Sequence, residues 1–300
     1  MADVTDMAFR QIVADCGRPD VFYTEFVSAA GLCSEKGRPK LLPHFAFQET
    51  ERPIVAQIFG NKPEQFFECA QLIKELGFDG IDINMGCPDR KVLKQGAGIA
   101  LCKTPELARE IIEATKQGAG DIPVSVKTRL GYHEIDFTWI QNILDANIAA
   151  FLIHLRTMKE MSKVPAHWEY AKEIADMAHA THTVVVGNGD VSSYLEGIEK
   201  AQQSGLDGIM VGRGIFHNPW IFSPDIDPAQ KTLQERIELC KRHILLFTEL
   251  WGEHKNYDVL KRFYKIYIHG WPDAKDLRDQ LMQTKSAPEA LGILARFQTV

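Results

Sequence analysis

Long apolar runs are missing from this chain of 300 residues. No stretch reaches the roughly 18 uninterrupted apolar residues that read as a membrane span. No basic-then-apolar segment opens the sequence as a secretory signal would. The expectation is a cytoplasmic protein with no membrane partner. Cysteine is sparse: six residues, at 16, 33, 69, 87, 102 and 240, with no CxxC pair and no recurrent spacing. That pattern argues against a disulfide framework and a zinc site, so no metal is expected, and it suits a reducing compartment. Internal repeats and low-complexity tracts are absent as well, and a monomer is expected. The chain carries a net charge of −6, but acid is scarcer near its end. Residues 229–300 hold 12 basic and 9 acidic side chains, whereas 1–228 hold 22 and 31. The tail's cations include Lys241, Arg242, Lys255, Lys261, Arg262 and Lys265. Such asymmetry permits contact with phosphate, although helix faces of mixed sign produce it too.

What is present is a rhythm. Short apolar, β-branched runs alternate with longer amphipathic patterns, the signature of parallel βαβ units. Strands are expected at 21–25, 54–59, 80–84, 124–127, 151–154, 183–187 and 208–211, with helices at 63–76, 105–116, 168–178 and 192–203. Several strands end in Gly, Asn, Lys or His, and a (β/α)8 barrel builds its active site at that edge. Seven strands are one short of closure, and residues 1–15 read as a loop entering a helix. The fold expected is therefore α/β, a (β/α)8 TIM barrel whose first strand is absent from this chain, with an open seven-stranded sheet as the alternative. Beyond the proline-punctuated segment Ser223-Pro224-Asp225-Ile226-Asp227-Pro228 only helical patterns follow, at 233–251, 258–270, 274–283 and 288–297. The division expected is a barrel domain over 1–222 and an all-helical C-terminal domain over 229–300.

The densest group of chemically special residues is Asp82-Ile83-Asn84-Met85-Gly86-Cys87-Pro88, continued by Lys91, Lys94 and Gly96-Ala97-Gly98. A strand ends at Asn84, and a glycine-rich loop then carries one thiol and two ammonium groups over the barrel mouth. A partly exposed thiol among cations suits proton donation. Cys16, Cys69 and Cys240 lie on helical patterns and read as core filler. Cys87 instead stands on a strand-end loop, where catalytic groups concentrate. Two glycine turns form a second group, Gly187-Asn188-Gly189-Asp190 and Gly212-Arg213-Gly214. Barrels often hold phosphate between these positions, where free N–H groups face the anion, and Arg213 would add a charged contact. Third, Gln57, Lys127 and His154 fall at or near the ends of their strands. An amide, an ammonium and an imidazole at one mouth suit a planar heteroaromatic ring and charge on its reduced form. Each alone is also readable as a satisfied structural group. Arg129 and Arg156 flank two of them, and either hold substrate or pair with a carboxylate.

Further fragments stand in order along the chain: Met1-Ala2-Asp3-Val4-Thr5-Asp6 with Phe9-Arg10, Thr24-Glu25-Phe26, and Ala56-Gln57-Ile58-Phe59-Gly60. After 82–88 come Lys91-Val92, Lys127-Thr128-Arg129-Leu130-Gly131, His154-Leu155-Arg156-Thr157, Asn188-Gly189-Asp190, and Val211-Gly212-Arg213 with Pro219-Trp220. In order and spacing, over essentially its whole length, the chain resembles the tRNA-dihydrouridine synthases. The resemblance implies a barrel holding FMN, followed by a helical domain that helps grip tRNA. Met1, Gln57, Lys127 and His154 would contact the flavin, and Asn188, Gly189, Asp190, Gly212 and Arg213 would cradle its phosphate. NADPH would reduce FMN, flavin N5 would deliver hydride to uracil C6, and Cys87 would protonate C5. Asn84 would help seat the uracil, Lys91, Arg129 and Arg156 are candidate RNA contacts, and the base would be flipped from its stack. Two departures stand out. The family's strand ending in Ala-Pro-Met is represented by Met1 alone, in agreement with the strand count, and Leu155 replaces a usual glycine.

Two other classes of function fit parts of this pattern. An FMN-dependent barrel oxidoreductase acting on a small molecule would share the phosphate loops and the strand-end Lys and His, but would not need the helical domain or this form of the Cys87 loop. A non-catalytic RNA-binding protein would need no flavin.

Overall fold

The computed structural model describes residues 1–252 and 254–297. Eight strand segments form one parallel sheet: β1 (Phe22–Tyr23), β2 (Val27–Ser28), β3 (Ile54–Phe59), β4 (Gly80–Asn84), β5 (Val124–Arg129), β6 (Ala150–His154), β7 (Val184–Asn188) and β8 (Gly208–Met210). β1 and β2 both pair with β3, Phe22 opposite Ile54 and Val27 opposite Ile58. They are two lengths of one lane, and the single strand expected at 21–25 is broken there. The break has a local cause: the Thr24 hydroxyl accepts the Gln57 N–H at 3.0 Å, and Glu25 turns away to accept the Val4 N–H at 3.0 Å.

From β3 to β8 the strands lie in chain order, and among the described residues β8 and β1 are not joined. The sheet is thus a barrel wall with one lane open, as the strand count predicts. The opening residues 1–6 turn back on themselves, with the Val4 and Thr5 N–H groups donating to Met1 O. They then enter the helix Met7–Cys16, whose first turn is capped by Asp6. Crossover helices cover the outside. Two of them, Pro63–Glu75 and Pro105–Ala119, approach so closely at Gly118 that a Cβ there would stand 2.3 Å from Phe67 O.

Side chains alternate across a strand. Ile81 and Ile83 therefore turn to one face while Asp82 and Asn84 turn to the other, and Val124 and Val126 oppose Ser125, Lys127 and Arg129 in the same way. Register then aligns the polar set. Gln57 stands opposite Asp82 and Asp82 opposite Ser125. Asn84 stands opposite Lys127, Arg129 opposite His154, and His154 opposite Asn188. One inner face, near the carboxyl ends of the strands, collects every strand-end group singled out in the sequence.

The C-terminal helices begin with Leu233–Trp251, where Thr232 and Glu235 form a capping box. The helix expected at 258–270 is instead a 3-10 segment, Tyr257–Phe263, followed by a short α-turn, Tyr264–Tyr267. Ala274–Gln283 and Ala287–Arg296 complete the set. The Phe9 ring packs against Phe216, His243 and Phe263, and the Trp251 indole donates to Asp6 Oδ2 at 2.7 Å. The hydrophobic core is accordingly continuous across residues 222–229. No helix among the described residues is long and apolar enough to cross a membrane.

Candidate active site

The loop after β4 is fastened on three sides. The Thr128 hydroxyl donates to Met85 O at 2.9 Å, and Arg129 Nε donates to Gly86 O at 2.9 Å. Ile99 N–H donates to Cys87 O at 3.3 Å. Gly98 permits that third contact: its φ is +62°, and a Cβ there would stand 2.6 Å from Cys87 O. Cys87 is half-buried, whereas Cys16, Cys69 and Cys240 are buried in the core. Burial pushes the Cys87 thiol above its ordinary pKa, and Asp89 adds to the push. Arg129, Lys127 and a hydrogen bond from the Asp89 backbone pull the other way without cancelling it. The thiol therefore holds its proton at neutral pH, as a proton donor must.

Behind the thiol runs a chain of hydrogen bonds. Asn84 Oδ1 accepts the N–H groups of Gly86 and Cys87 at 3.1 and 3.0 Å, and Asn84 Nδ2 donates to Gln57 Oε1 at 3.0 Å. Gln57 Nε2 donates to Asp82 Oδ2 at 2.7 Å, and Ser125 Oγ donates to Asp82 Oδ1 at 2.6 Å. Asp82 is fully buried, and burial raises its carboxyl to about 6. Asp82 and Ser125 carry no assigned role in the sequence reading. The period-two pattern Asp82/Asn84 and Ser125/Lys127 was the signal that could have found them.

Lys127 makes one long contact, to Asn188 Oδ1 at 3.5 Å, and burial followed by Arg129 lowers its ammonium to about 8. His154 is driven down to about 2 by burial and by Lys127, Arg129 and Arg156, so its ring is neutral. Its Nε2 lies 3.2 Å from Arg156 Nη1. Arg156 is buried, donates to Val164 O at 2.7 Å and pairs closely with Asp190. Asp190 also accepts the Ala166 N–H at 2.9 Å and faces Arg213 at 3.6 Å. Arg129 is buried as well, its Nη1 donating to Thr157 O and Met161 O at 3.2 and 3.1 Å. Both arginines thus brace loops at the mouth. Lys91, on the short helix Arg90–Lys94, is exposed.

The two glycine turns lie side by side. Asn188 Nδ2 donates to Met210 O at 2.7 Å, and a Cβ at Gly212 would enter the space between the turns, 3.6 Å from that nitrogen. Gly189, with φ +141°, abuts His154 and Arg156. Met1 lies at the same mouth, where its ammonium feels Glu25 and Lys127. Among the described residues no group of His, Cys, Asp and Glu could hold a metal ion.

A family model described as dihydrouridine synthase matches residues 1–299. A probable tRNA-dihydrouridine synthase of Staphylococcus aureus (strain MRSA252) is 45% identical over 303 residues, covering 99% of this chain and 91% of that relative. A probable tRNA-dihydrouridine synthase 2 of Bacillus subtilis (strain 168) is also 45% identical, covering 99% and 92%. The chain belongs to the dihydrouridine synthase family. Membership makes it an oxidoreductase, of the flavin-dependent kind that the sequence resemblance implies. Solved structures bear on the fold alone. Histamine dehydrogenase from Rhizobium sp. 4-9 superposes with TM-score 0.54 at 15% identity, over 80% of this chain and 46% of that one. A 2-naphthoyl-CoA reductase superposes with TM-score 0.56 at 13% identity, over 72% and 46%.

One departure from the family's pattern is accommodated in this dihydrouridine synthase fold. Leu155 is fully buried in the core, its N–H donating to Asn188 O at 3.0 Å. Its bulk is absorbed by packing beneath the mouth.

Proposed function

We propose that this protein is a tRNA-dihydrouridine synthase that uses FMN and NADPH in the cytoplasm, with Cys87 as its general acid. The observation that carries this reading is a thiol that keeps its proton, held by Asn84 at a mouth lined with Lys127 and Arg129. The residues fit a flavin. Lys127 is a cation with one long protein contact, Gln57 offers an amide, and His154 is a neutral ring at the same strand edge. The Asn188-Gly189-Asp190 and Gly212-Arg213 turns, joined where Asn188 donates to Met210 O, suit the phosphate. Met1 would touch the ring from the open lane. Bound there, FMN reduced by NADPH would supply the hydride that, with the proton from Cys87, saturates the uracil C5–C6 bond.

The chain's own residues do the rest. Cys87 passes its proton to C5, Asn84 holds the thiol's loop and helps seat the uracil, and Lys127 offsets negative charge as it develops. Exposed Lys91 meets the RNA backbone. Arg129 and Arg156 serve the substrate side by fixing the Gly86 carbonyl and the 157–164 loop. Residues 1–222 carry the chemistry, and the helices of 229–300 help grip the RNA.

The test is direct. Flavin-loaded protein given NADPH and unmodified tRNA forms dihydrouridine, and Cys87→Ala slows it by roughly 10²–10⁴-fold with flavin retained. Wild-type rates in that variant would remove the thiol from its role. A flavin-loaded wild type that leaves tRNA unchanged would favour a small-molecule substrate.

A further inference from the structure

Most of the cations that mark the C-terminal segment in the sequence are engaged by carboxylates. Lys241 pairs with Glu238 at 2.7 Å, Arg242 with Asp15 at 2.5 Å, Lys255 with Asp3 at 3.2 Å and Lys261 with Asp258 at 2.7 Å. Two differ. Arg262 reaches only a carbonyl, Asp3 O at 3.1 Å, and Lys265 has no ion-pair or hydrogen-bond partner among the described residues. Both line one cavity of about 300 Å³, walled also by Phe216, His217, Ile266 and His269.

The arrangement follows from local geometry. Arg262 lies on the 3-10 segment, Lys265 and Ile266 on the α-turn Tyr264–Tyr267, and His269 just beyond it, so this stretch of chain supplies one wall. The other wall, Phe216-His217, continues the turn that begins at Arg213. Among the described residues no carboxylate lines the cavity. His269 Nε2 lies 3.1 Å from Arg236 Nη1, and burial, Arg236, Arg278 and His217 keep its imidazole below the ordinary pKa. A crowd of cations without acids opposes folding unless an anion offsets it.

We propose that this cavity is a phosphodiester subsite, in which Arg262 and Lys265 hold a backbone phosphate of the RNA strand. The inference rests on the RNA-substrate reading above and sharpens it. Size favours a strand over a free cofactor, since about 300 Å³ is the lower end of small-molecule pockets and admits a phosphate with its sugar rather than a whole dinucleotide. Charge favours it as well. Residues 1–228 carry 31 acidic against 22 basic side chains, so a polyanion settles where cations lack carboxylate partners.

Anisotropy titrations of unmodified tRNA over a salt series test this with the holoenzyme, comparing Lys265→Ala, Arg262→Ala, the double variant and Lys241→Ala as a charge-matched control. The double variant should bind roughly tenfold more weakly, and its slope of log affinity against log salt should fall by about 0.7–0.9 for the lost phosphate. Lys241→Ala should stay near wild type, and inorganic phosphate should compete less well against the double variant. Unchanged flavin content and melting temperature exclude misfolding, and the single variants answer the question if the double one does not fold. An unaltered salt slope overturns the subsite, as does a defect confined to the NADPH KM. A wild type that binds tRNA with this dependence yet forms no dihydrouridine leaves the subsite standing and removes the activity. A wild type that does not bind tRNA removes both.

Discussion

The carboxamide oxygen of Asn84 accepts the backbone N–H of Cys87 at 3.0 Å. The position of the thiol proposed as proton donor is therefore set from the strand beneath it, since Asn84 is the last residue of β4 and is itself buried. Asn84→Ala removes the acceptor for two N–H groups at once, and water replaces it only on the exposed side of the loop. The expected outcome is a fall in the rate of dihydrouridine formation of roughly 10²-fold with flavin content unchanged. An Asn84→Ala protein with full activity would show that the loop holds itself.

Two steps further back, Asp82 receives two donors, Gln57 Nε2 and Ser125 Oγ. An asparagine in its place has one acceptor for the two, and its own N–H₂ would face a donor. Gln57 would then rotate its amide and turn a donor toward Asn84 Nδ2. Asp82→Asn should therefore shift the absorption spectrum of the bound flavin and lower kcat more than it raises the tRNA KM. A uniform loss of stability with an unmoved spectrum would reduce Asp82 to core packing.

How far these relationships were legible in the sequence depends on how local they are. β3 and β4 fall at the expected bounds, as do the helices Leu233–Trp251 and Ala274–Gln283, because periodicity and caps lie within the segments themselves. Cys87 was legible because Gly and Pro beside it announce a loop. The Asp82–Ser125 contact was not, because it joins residues 43 apart whose meeting depends on strand register. Long side chains were least legible. Nothing in the order of residues says that Arg129 bends back to carbonyls, or that Lys265 finds no partner among the described residues.

The pH response separates the groups at the mouth. Burial keeps Cys87 protonated past its ordinary range, so the thiol does not set the neutral limb of activity. Lys127, lowered to about 8, loses its charge as pH rises through that value. kcat/KM measured on the flavin-loaded enzyme should decline above about pH 8, and Lys127→Arg should move the decline upward. A limb that stays in place in Lys127→Arg would assign it elsewhere.

Stability responds on the acid side through two neutral histidines. His154 and His243, lowered to about 2 and about 3, stay unprotonated in the fold at pH values where the unfolded chain, near 6.5, takes up protons. The unfolded state thus binds more protons between those values, and stability is lost as pH falls below about 6.5. The urea midpoint should drop between pH 7.5 and 5.5. His243→Phe, at a ring already packed against Phe9 and Phe263, should flatten that drop. An equally steep dependence in the variant would place the acid response on other groups.

The last prediction concerns what holds the first helix in place beside the open lane. Arg10 and Glu51 form a close ion pair with both side chains buried. Arg10 also donates to Thr5 O at 2.7 Å and to Ala46 O at 2.6 Å, while Glu51 accepts from Gln11 at 2.7 Å and from the Gln48 N–H at 3.1 Å. The pair thus ties the opening turn, the helix Met7–Cys16 and the 46–51 segment into one unit. Removing one partner strands the other charge away from water, which costs roughly 3–5 kcal/mol. Arg10→Ala should therefore lower the denaturation midpoint sharply, whereas replacing both residues with apolar ones, as in Arg10→Met with Glu51→Leu, should recover part of the loss. Full recovery is not expected, since Thr5 O and Ala46 O lose their donors. A double variant no more stable than Arg10→Ala would show that the carbonyl contacts, rather than the buried charge, account for the effect.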